Sequence, residues 1–183
     1  LPDCDASDIN GLDALVLGNY SETSHTIATL TVAGLLALPL VSNALDSGGD
    51  GWLEDTLVFT ETIVLTLALT QIAKDVVQRN APLVYDDDVP YEVRSGSPHA
   101  ARSFWSGHTA TAFSAATAYT VTFWERHPES NWRWVVLGLG AVAATTVGVL
   151  KVEAGYHFWS DIAAGAAVGV SVGFLVPILH TEW

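Results

Sequence analysis

Apolar runs alternate with polar stretches along this chain, and the runs are nearly equal in length. Five of them, at residues 26–45, 56–73, 109–124, 134–150 and 162–179, are 16 to 20 residues long and contain no Lys or Arg. As helices they would measure roughly 25–30 Å, close to the thickness of a bilayer core. Residues 46–55 and 125–133 are short and polar, so the helices they join should run antiparallel. Residues 74–105 form one long polar stretch rich in Pro, Gly, Asp and His, and are expected to be a functional loop. Residues 1–24 are expected to hold a short interfacial helix near 8–17, and Pro39 and Pro177 predict kinks in the first and last long helices. The pattern as a whole predicts an all-α fold: an antiparallel bundle of five to six helices forming a single domain over 1–183.

Following the helix ends around such a bundle brings distant residues onto one face. The C-terminus of the second helix, the N-terminus of the third, the C-terminus of the fourth and the N-terminus of the fifth share it. Those ends carry Lys74, residues 106–108, Lys151 and residues 157–161, and the long loop adds Arg79, Arg94 and Arg102. Five of the seven basic residues therefore converge, while Arg126 and Arg133 lie on the opposite face. In a membrane, the positive-inside rule makes that second face cytoplasmic and the first one outer.

Charge and composition narrow the possibilities. With 20 acidic and 7 basic residues the formal net charge is −13, which excludes nucleic acid as a partner because that requires a basic stripe. An anionic substrate would be repelled at long range, so any anion site must be a local cluster of cations. Cys4 is the sole cysteine, which rules out an intrachain disulfide and a thiolate metal cluster. Asp3 stands before it, where lipid-processing sites want a small residue. The chain has no methionine, as expected if a signal peptide has been removed or the start trimmed. Trp52, Trp105, Trp124, Trp132, Trp134, Trp159 and Trp183 all lie at or near the ends of apolar runs. That is the placement of an aromatic belt, and it favours a membrane-embedded, multi-pass bundle over a large soluble one.

Two stretches carry candidate chemistry. In SGHTATAF, Ser106 is a natural N-cap, Gly107 lets a ligand approach the backbone, and His108 sits in the first turn, able to deliver a proton. An ordinary capped helix with an incidental histidine reads the same way. In KVEAGYHFWSDIAAGAA, His157 and Asp161 are four residues apart and face each other if both lie in one helical turn. A carboxylate on one imidazole nitrogen leaves the other as base or nucleophile. Equally, Ser160 or Asp161 serves only to cap the last helix. Glu153 reads as a solvated loop residue, and the small residues after Asp161 as a close-packing face.

Taken together, Lys74 with Pro82, Ser106-Gly107-His108, and His157 with Asp161 resemble the type 2 phosphatidic-acid phosphatase superfamily, which shares its site with vanadium haloperoxidases. The family pattern is K-x6-R-P, then P-S-G-H, then S-R-x5-H-x3-D, and the resemblance spans about residues 10–180. It implies a phosphatase site at one end of the bundle, acting on a lipid phosphate or diphosphate at the outer, periplasmic side of a membrane. His157 would be the nucleophile, Asp161 its orienting carboxylate and His108 the general acid. Ser106, Gly107, Lys74 and Lys151 would hold the phosphate oxygens, with no metal or other cofactor. The sequence departs from the pattern at Ala81, where the first motif has Arg, at Lys151 and Leu150, where the third has Arg and Ser, and at Trp105, where the second has Pro. Arg79, Arg94 or Arg102 could replace the missing arginine. A catalytically weak or inactive binder of phosphate or lipid headgroups, and a soluble periplasmic acid phosphatase, are the alternatives. Haloperoxidase activity is disfavoured because those chains are far longer.

Overall fold

The computed structural model describes residues 6–46, 51–96 and 100–180; Cys4 and Trp183 lie outside the described residues. A 3₁₀ turn (Ala6–Asp8) and a short helix α1 (Gly11–Ala14) precede α2 (Glu22–Asp46) and α3 (Trp52–Val77). A second 3₁₀ turn (Pro82–Tyr85) and the short α4 (Tyr91–Gly96) lead into α5 (Gly107–Arg126), α6 (Trp132–Glu153) and α7 (Trp159–His180). Each apolar run has become a helix that overshoots it at both ends, because polar residues can cap and solvate a terminal turn without ending it. The stretch 74–105 is therefore not one loop. Lys74 lies in the last turn of α3, which ends where Gln78 adopts a left-handed conformation (φ 47°). The 3₁₀ turn and α4 occupy part of the remainder. Helices α2 and α7 run unbroken through Pro39 and Pro177.

The polarity of the bundle is inverted relative to a water-soluble protein. Helix α3 turns Thr62, Thr66 and Thr70 inward at four-residue spacing, all buried, and Thr66 Oγ1 shares a 2.8 Å hydrogen bond with Ser114 Oγ of α5. Leu57, Val64 and Ile72 of the same helix point outward and are exposed, as are Leu30, Leu38, Leu139, Val142 and Leu175 on its neighbours. A continuous apolar exterior around a hydroxyl-lined interior suits lipid as solvent, since leucine is at home there while polar groups must be satisfied internally. Four helical segments, Glu22–Leu45, Trp52–Tyr85, Trp132–Glu153 and Trp159–His180, are long and apolar enough to cross a bilayer, and the chain is a membrane protein. The fifth run differs from expectation. Helix α5, rich in Ala, Ser and Thr, is less apolar because it lies at the centre, packed against α2, α3, α6 and α7. Glu61, which interrupts the apolar run of α3, is paired with His180 at 3.2 Å.

The helices alternate in direction as their short connections require. Arg126 at the end of α5 pairs with Asp55 at the start of α3, and Lys151 at the end of α6 meets His25 at the start of α2. Close approach of α7 to α5 depends on glycines spaced four apart. A Cβ on Gly165 would lie 2.7 Å from the Ser106 carbonyl oxygen, one on Gly173 2.6 Å from that of Ser114, and one on Gly169 would run into that of Ala110. This small-residue face sets the first turns of α5 and α7 side by side, where Ser106 N–H donates to the Asp161 carbonyl at 3.1 Å.

Candidate active site

The first turn of α5 is built as its sequence predicts. Ser106 is the N-cap, fully buried, and its hydroxyl oxygen accepts from Thr109 N at 3.4 Å and from Thr109 Oγ1 at 2.9 Å. Gly107 lies against α3, where a Cβ would be 3.1 Å from Thr70 Cγ2 and 3.8 Å from Lys74 Cε. The Gly107 and His108 amides have no carbonyl four residues back within the helix, so they and the helix dipole give this helix start a partial positive charge.

His157 is buried just ahead of α7. Its Nδ1 lies 2.8 Å from the Ser103 carbonyl oxygen, whereas Asp161 Oδ2 is 3.8 Å away. A carbonyl only accepts, so Nδ1 carries the hydrogen and the neutral ring presents its lone pair at Nε2. The partner that fixes the tautomer is thus the loop carbonyl of Ser103. Asp161 instead accepts the Phe158 N–H at 2.9 Å and the Arg79 guanidinium at 2.6 Å, and faces the imidazole without bonding it. The carboxylate closes its own turn, as a cap would, and it lies beside the histidine, but the bond to an imidazole nitrogen expected from sequence is made by the Ser103 carbonyl instead. Burial pushes the His157 pKa below the ordinary imidazole value, Asp161 opposes that shift, and the positive charges of Lys74 and Lys151 reinforce it.

Lys74 donates to the Arg102 carbonyl. Both residues, with Gly107 and His108, line a cavity of about 680 Å³ whose walls continue along Val32 and Leu67 between α2 and α3. Arg102 itself pairs with Asp75 and is half exposed. The loop that supplies these carbonyls is held against the chain after α3 by Ala81 N to Ala100 O (2.8 Å) and Ser103 N to Arg79 O (2.9 Å). Lys151 is not at the cavity lining. It is fully buried, and its Nζ donates to His25 Nδ1 at 3.0 Å. The His25 ring lies 4.6 Å from that of Tyr156 and 6.0 Å from that of His108, centroid to centroid. One turn along α2, Thr29 Oγ1 is 3.2 Å from His108 Nε2.

Two residues near the missing arginine have settled places. Ala81 is fully buried in an apolar cluster with Leu83, Val84, Ala100, Ala154 and Tyr156, so the position is filled rather than vacant. Arg79 is engaged by carboxylates: Nη2 donates to Asp13 at 2.8 Å, and Nη1 to Asp161 at 2.6 Å and to Ser160 Oγ at 2.7 Å. Arg94 pairs with exposed Asp87 at 2.6 Å. The structure thus gathers Lys74, Arg102, Gly107 and His108 around one cavity, sets Ser106 at the start of α5, and leaves Lys151, His157 and Asp161 buried outside the lining of that cavity. Glu153 is the exposed last residue of α6.

Sequence reasoning missed Asp13, His25, Thr29 and Ser103. His25 and Thr29 had a signal: they open the first apolar run, whose N-terminus falls on the basic face of an alternating bundle. Asp13 and Ser103 had none, because each acts through a partner far away in sequence.

Comparison with known proteins gives three findings. The family model for the PAP2 superfamily matches residues 55–183. A 76-residue stretch is 41% identical to a lipid A 1-phosphatase of Porphyromonas gingivalis; the match covers 42% of this chain and 16% of that protein, so this chain spans only a small part of its length. The crystal structure of a transmembrane PAP2-type phosphatidylglycerolphosphate phosphatase from Bacillus subtilis has a TM-score of 0.63, with 23% identity, over 86% of this chain and 75% of that one. The last is a likeness of fold.

Proposed function

Because the chain belongs to the PAP2 superfamily, we propose that it is a metal-independent phosphatase that hydrolyses a lipid phosphate or diphosphate through a phosphohistidine on His157. The observation that carries this reading is the His157 ring: a buried imidazole whose Nδ1 is bonded to a carbonyl, with Nε2 left as a nucleophile in the field of Lys74 and Lys151. In the first step Nε2 attacks phosphorus, the bond to the lipid oxygen breaks, and His108 protonates that oxygen. In the second, His108 takes a proton from water as the water oxygen attacks phosphorus. The N–P bond breaks, phosphate leaves and both histidines are restored. Lys74, Lys151, the Ser106 hydroxyl and the Gly107 N–H stabilise the equatorial oxygens as charge builds. The site faces the outer side of the membrane, opposite Arg126 and Arg133. A lipid substrate is favoured because the cavity's cationic end continues into apolar walls of two membrane-spanning helices, and the apolar exterior disfavours a soluble acid phosphatase.

A second reading has its own observation. The arginine of the first motif is replaced by a buried Ala81, and Arg79 is held by two carboxylates, which leaves lysines as the principal grip on phosphate. A protein so built could bind phosphate or headgroups with little turnover. Purified protein in detergent is assayed with phosphatidate, phosphatidylglycerol phosphate, a polyprenyl diphosphate and lipid A, with and without EDTA. Turnover insensitive to EDTA, inhibited by vanadate and abolished in His157→Ala supports the phosphatase. Turnover that survives His157→Ala overturns the mechanism, and phosphate binding without turnover selects the second reading.

A further inference from the structure

The Arg79 guanidinium joins two buried carboxylates from opposite ends of the chain, Asp161 at 2.6 Å and Asp13 at 2.8 Å, and its Cζ lies over the Phe158 ring, 4.2 Å from the centroid. Asp13 belongs to α1, outside the residues matched by the family model. It is fully buried and accepts three further hydrogen bonds: from Asn10 Nδ2 at 2.8 Å, Ser160 N at 3.0 Å and Ser160 Oγ at 2.6 Å. Burial alone would raise its pKa, but the Ser160, Arg79 and Asn10 donors outweigh that and lower it to about 2.

The charges around His157 are unevenly balanced. Burial weighs most against a positive imidazole, and Lys74 from α3 and Lys151 from α6 add to it, while the first turn of α5, joined to α7 by Ser106 N–H to the Asp161 carbonyl, brings the positive end of a helix dipole to the same place. Asp161 is the counterweight, and Arg79 is bonded directly to it. An Asp161–Arg79 pair by itself has no net charge and offers little to an imidazolium. Two carboxylates sharing one guanidinium keep a net negative charge beside the ring.

We propose that Asp13 is a positioning residue for the chemistry of His157: by neutralising Arg79 it leaves Asp161 the negative charge that the ring needs when Nε2 bonds to phosphorus. It acts through Arg79 and touches no substrate. The catalytic consequence rests on the phosphohistidine reading; the electrostatic one does not. Asp13 also receives the Ser160 N–H at the start of α7, so a purely mechanical clamp must be told apart from a charge effect. The sign of the response does this. Asp13→Asn and Arg79→Gln break the same ion pair, and a loosened clamp would move the His157 pKa the same way in both. A charge effect moves it in opposite directions.

The test uses the full chain in detergent micelles with ¹⁵N-labelled histidine, the His157 signals being assigned against His157→Gln and followed through a pH titration. Asp13→Asn should lower the His157 pKa by about half a unit to one unit and Arg79→Gln should raise it by a similar amount. The double variant should return it to the wild-type value or above. Shifts of the same sign, or no shift, overturn the proposal; if Asp13→Asn does not fold, the absence of a rise in Arg79→Gln overturns it. In phosphatase assays Asp13→Asn should lower kcat about tenfold with KM within about twofold, and the double variant should recover part of the loss. Should the wild type hydrolyse nothing, the phosphatase reading fails, while the titration still decides the role of Asp13.

Discussion

Lys151 reaches its partner as a point charge on a flexible stem, where the family motif has a planar guanidinium that fixes its own direction. The structure supplies direction from outside, through the 3.0 Å bond to His25 Nδ1 and the Tyr156 ring under the ammonium at 5.7 Å. A hydrogen bond to a charged group contributes about 1.5–3 kcal/mol. His25→Ala should therefore lower kcat on the order of tenfold or more. If His25 serves mainly to aim Lys151, the loss should shrink in a Lys151→Arg background, because arginine is less dependent on the aid. Steady-state kinetics of the four proteins form the cycle; equal losses in both backgrounds would remove His25 from this role. Residue-scale legibility followed distance in sequence. The Ser106 cap was readable because its acceptor and its donor Thr109 are three residues apart. The engagement of Arg79 was not, because its partners lie 66 and 82 positions away, and no local signal distinguishes a carboxylate-bound arginine from a phosphate-binding one.

At the scale of elements, the site exists because two helix starts are pressed together. Gly165, Gly169 and Gly173 let α7 lie on the carbonyls of α5, which brings the Asp161 carbonyl to Ser106 N–H and sets the His157 turn beside the α5 cap. A Cβ at Gly169 would meet backbone, which cannot rotate aside as a side chain can. Gly169→Val should destabilise the protein by about 1–3 kcal/mol or more through overpacking and reduce activity by separating the two turns. Gly138→Ala on α6, where nothing lies within 4 Å, should leave both unchanged. Thermal unfolding in detergent, with activity measured on the same samples, checks the pair, and equal tolerance at both positions would refute the packing argument. The small-residue face was readable in AAGAAVGVSVG as a period-four pattern. Helix limits were less so, since hydropathy ends where the lipid does, whereas α3 continues to Val77 on solvated and loop-facing turns and carries Lys74 into helical geometry. The greater polarity of α5 was visible too, but its reason was not: a helix surrounded by helices need not be apolar, and a linear run does not say which helix is central.

For the whole molecule, two electrostatic fields of opposite sign act on an anionic substrate. The net charge of −13 repels it at long range, and exposed Asp75, Asp87, Asp88 and Glu92 add acid on the loop side. In the proposed function Lys74 and Lys151 would attract it only at short range, because Lys151 is fully buried and Lys74 half-buried. The antiparallel connections and the clustering of basic residues made this division readable in the sequence, since both follow from where polar stretches interrupt apolar runs. The two terms differ in how salt affects them. Screening shortens the reach of exposed charges from about 30 Å at 0.01 M to about 8 Å at 0.15 M, while buried contacts are screened much less. Raising ionic strength across that interval should therefore increase kcat/KM for a small, dianionic, water-soluble phosphate ester severalfold, with kcat little changed, because only the encounter is eased. A lipid substrate already within the bilayer should respond less, since on the proposed function it would approach along the apolar walls formed by Val32 and Leu67 rather than through the acidic exterior. Initial rates at fixed pH and detergent, in sodium chloride at both limits, measure the effect. A decrease in kcat/KM for the soluble ester would mean that the field at the entrance is positive despite the acidic total, and that the loop arginines Arg94 and Arg102, though paired with Asp87 and Asp75, dominate the approach.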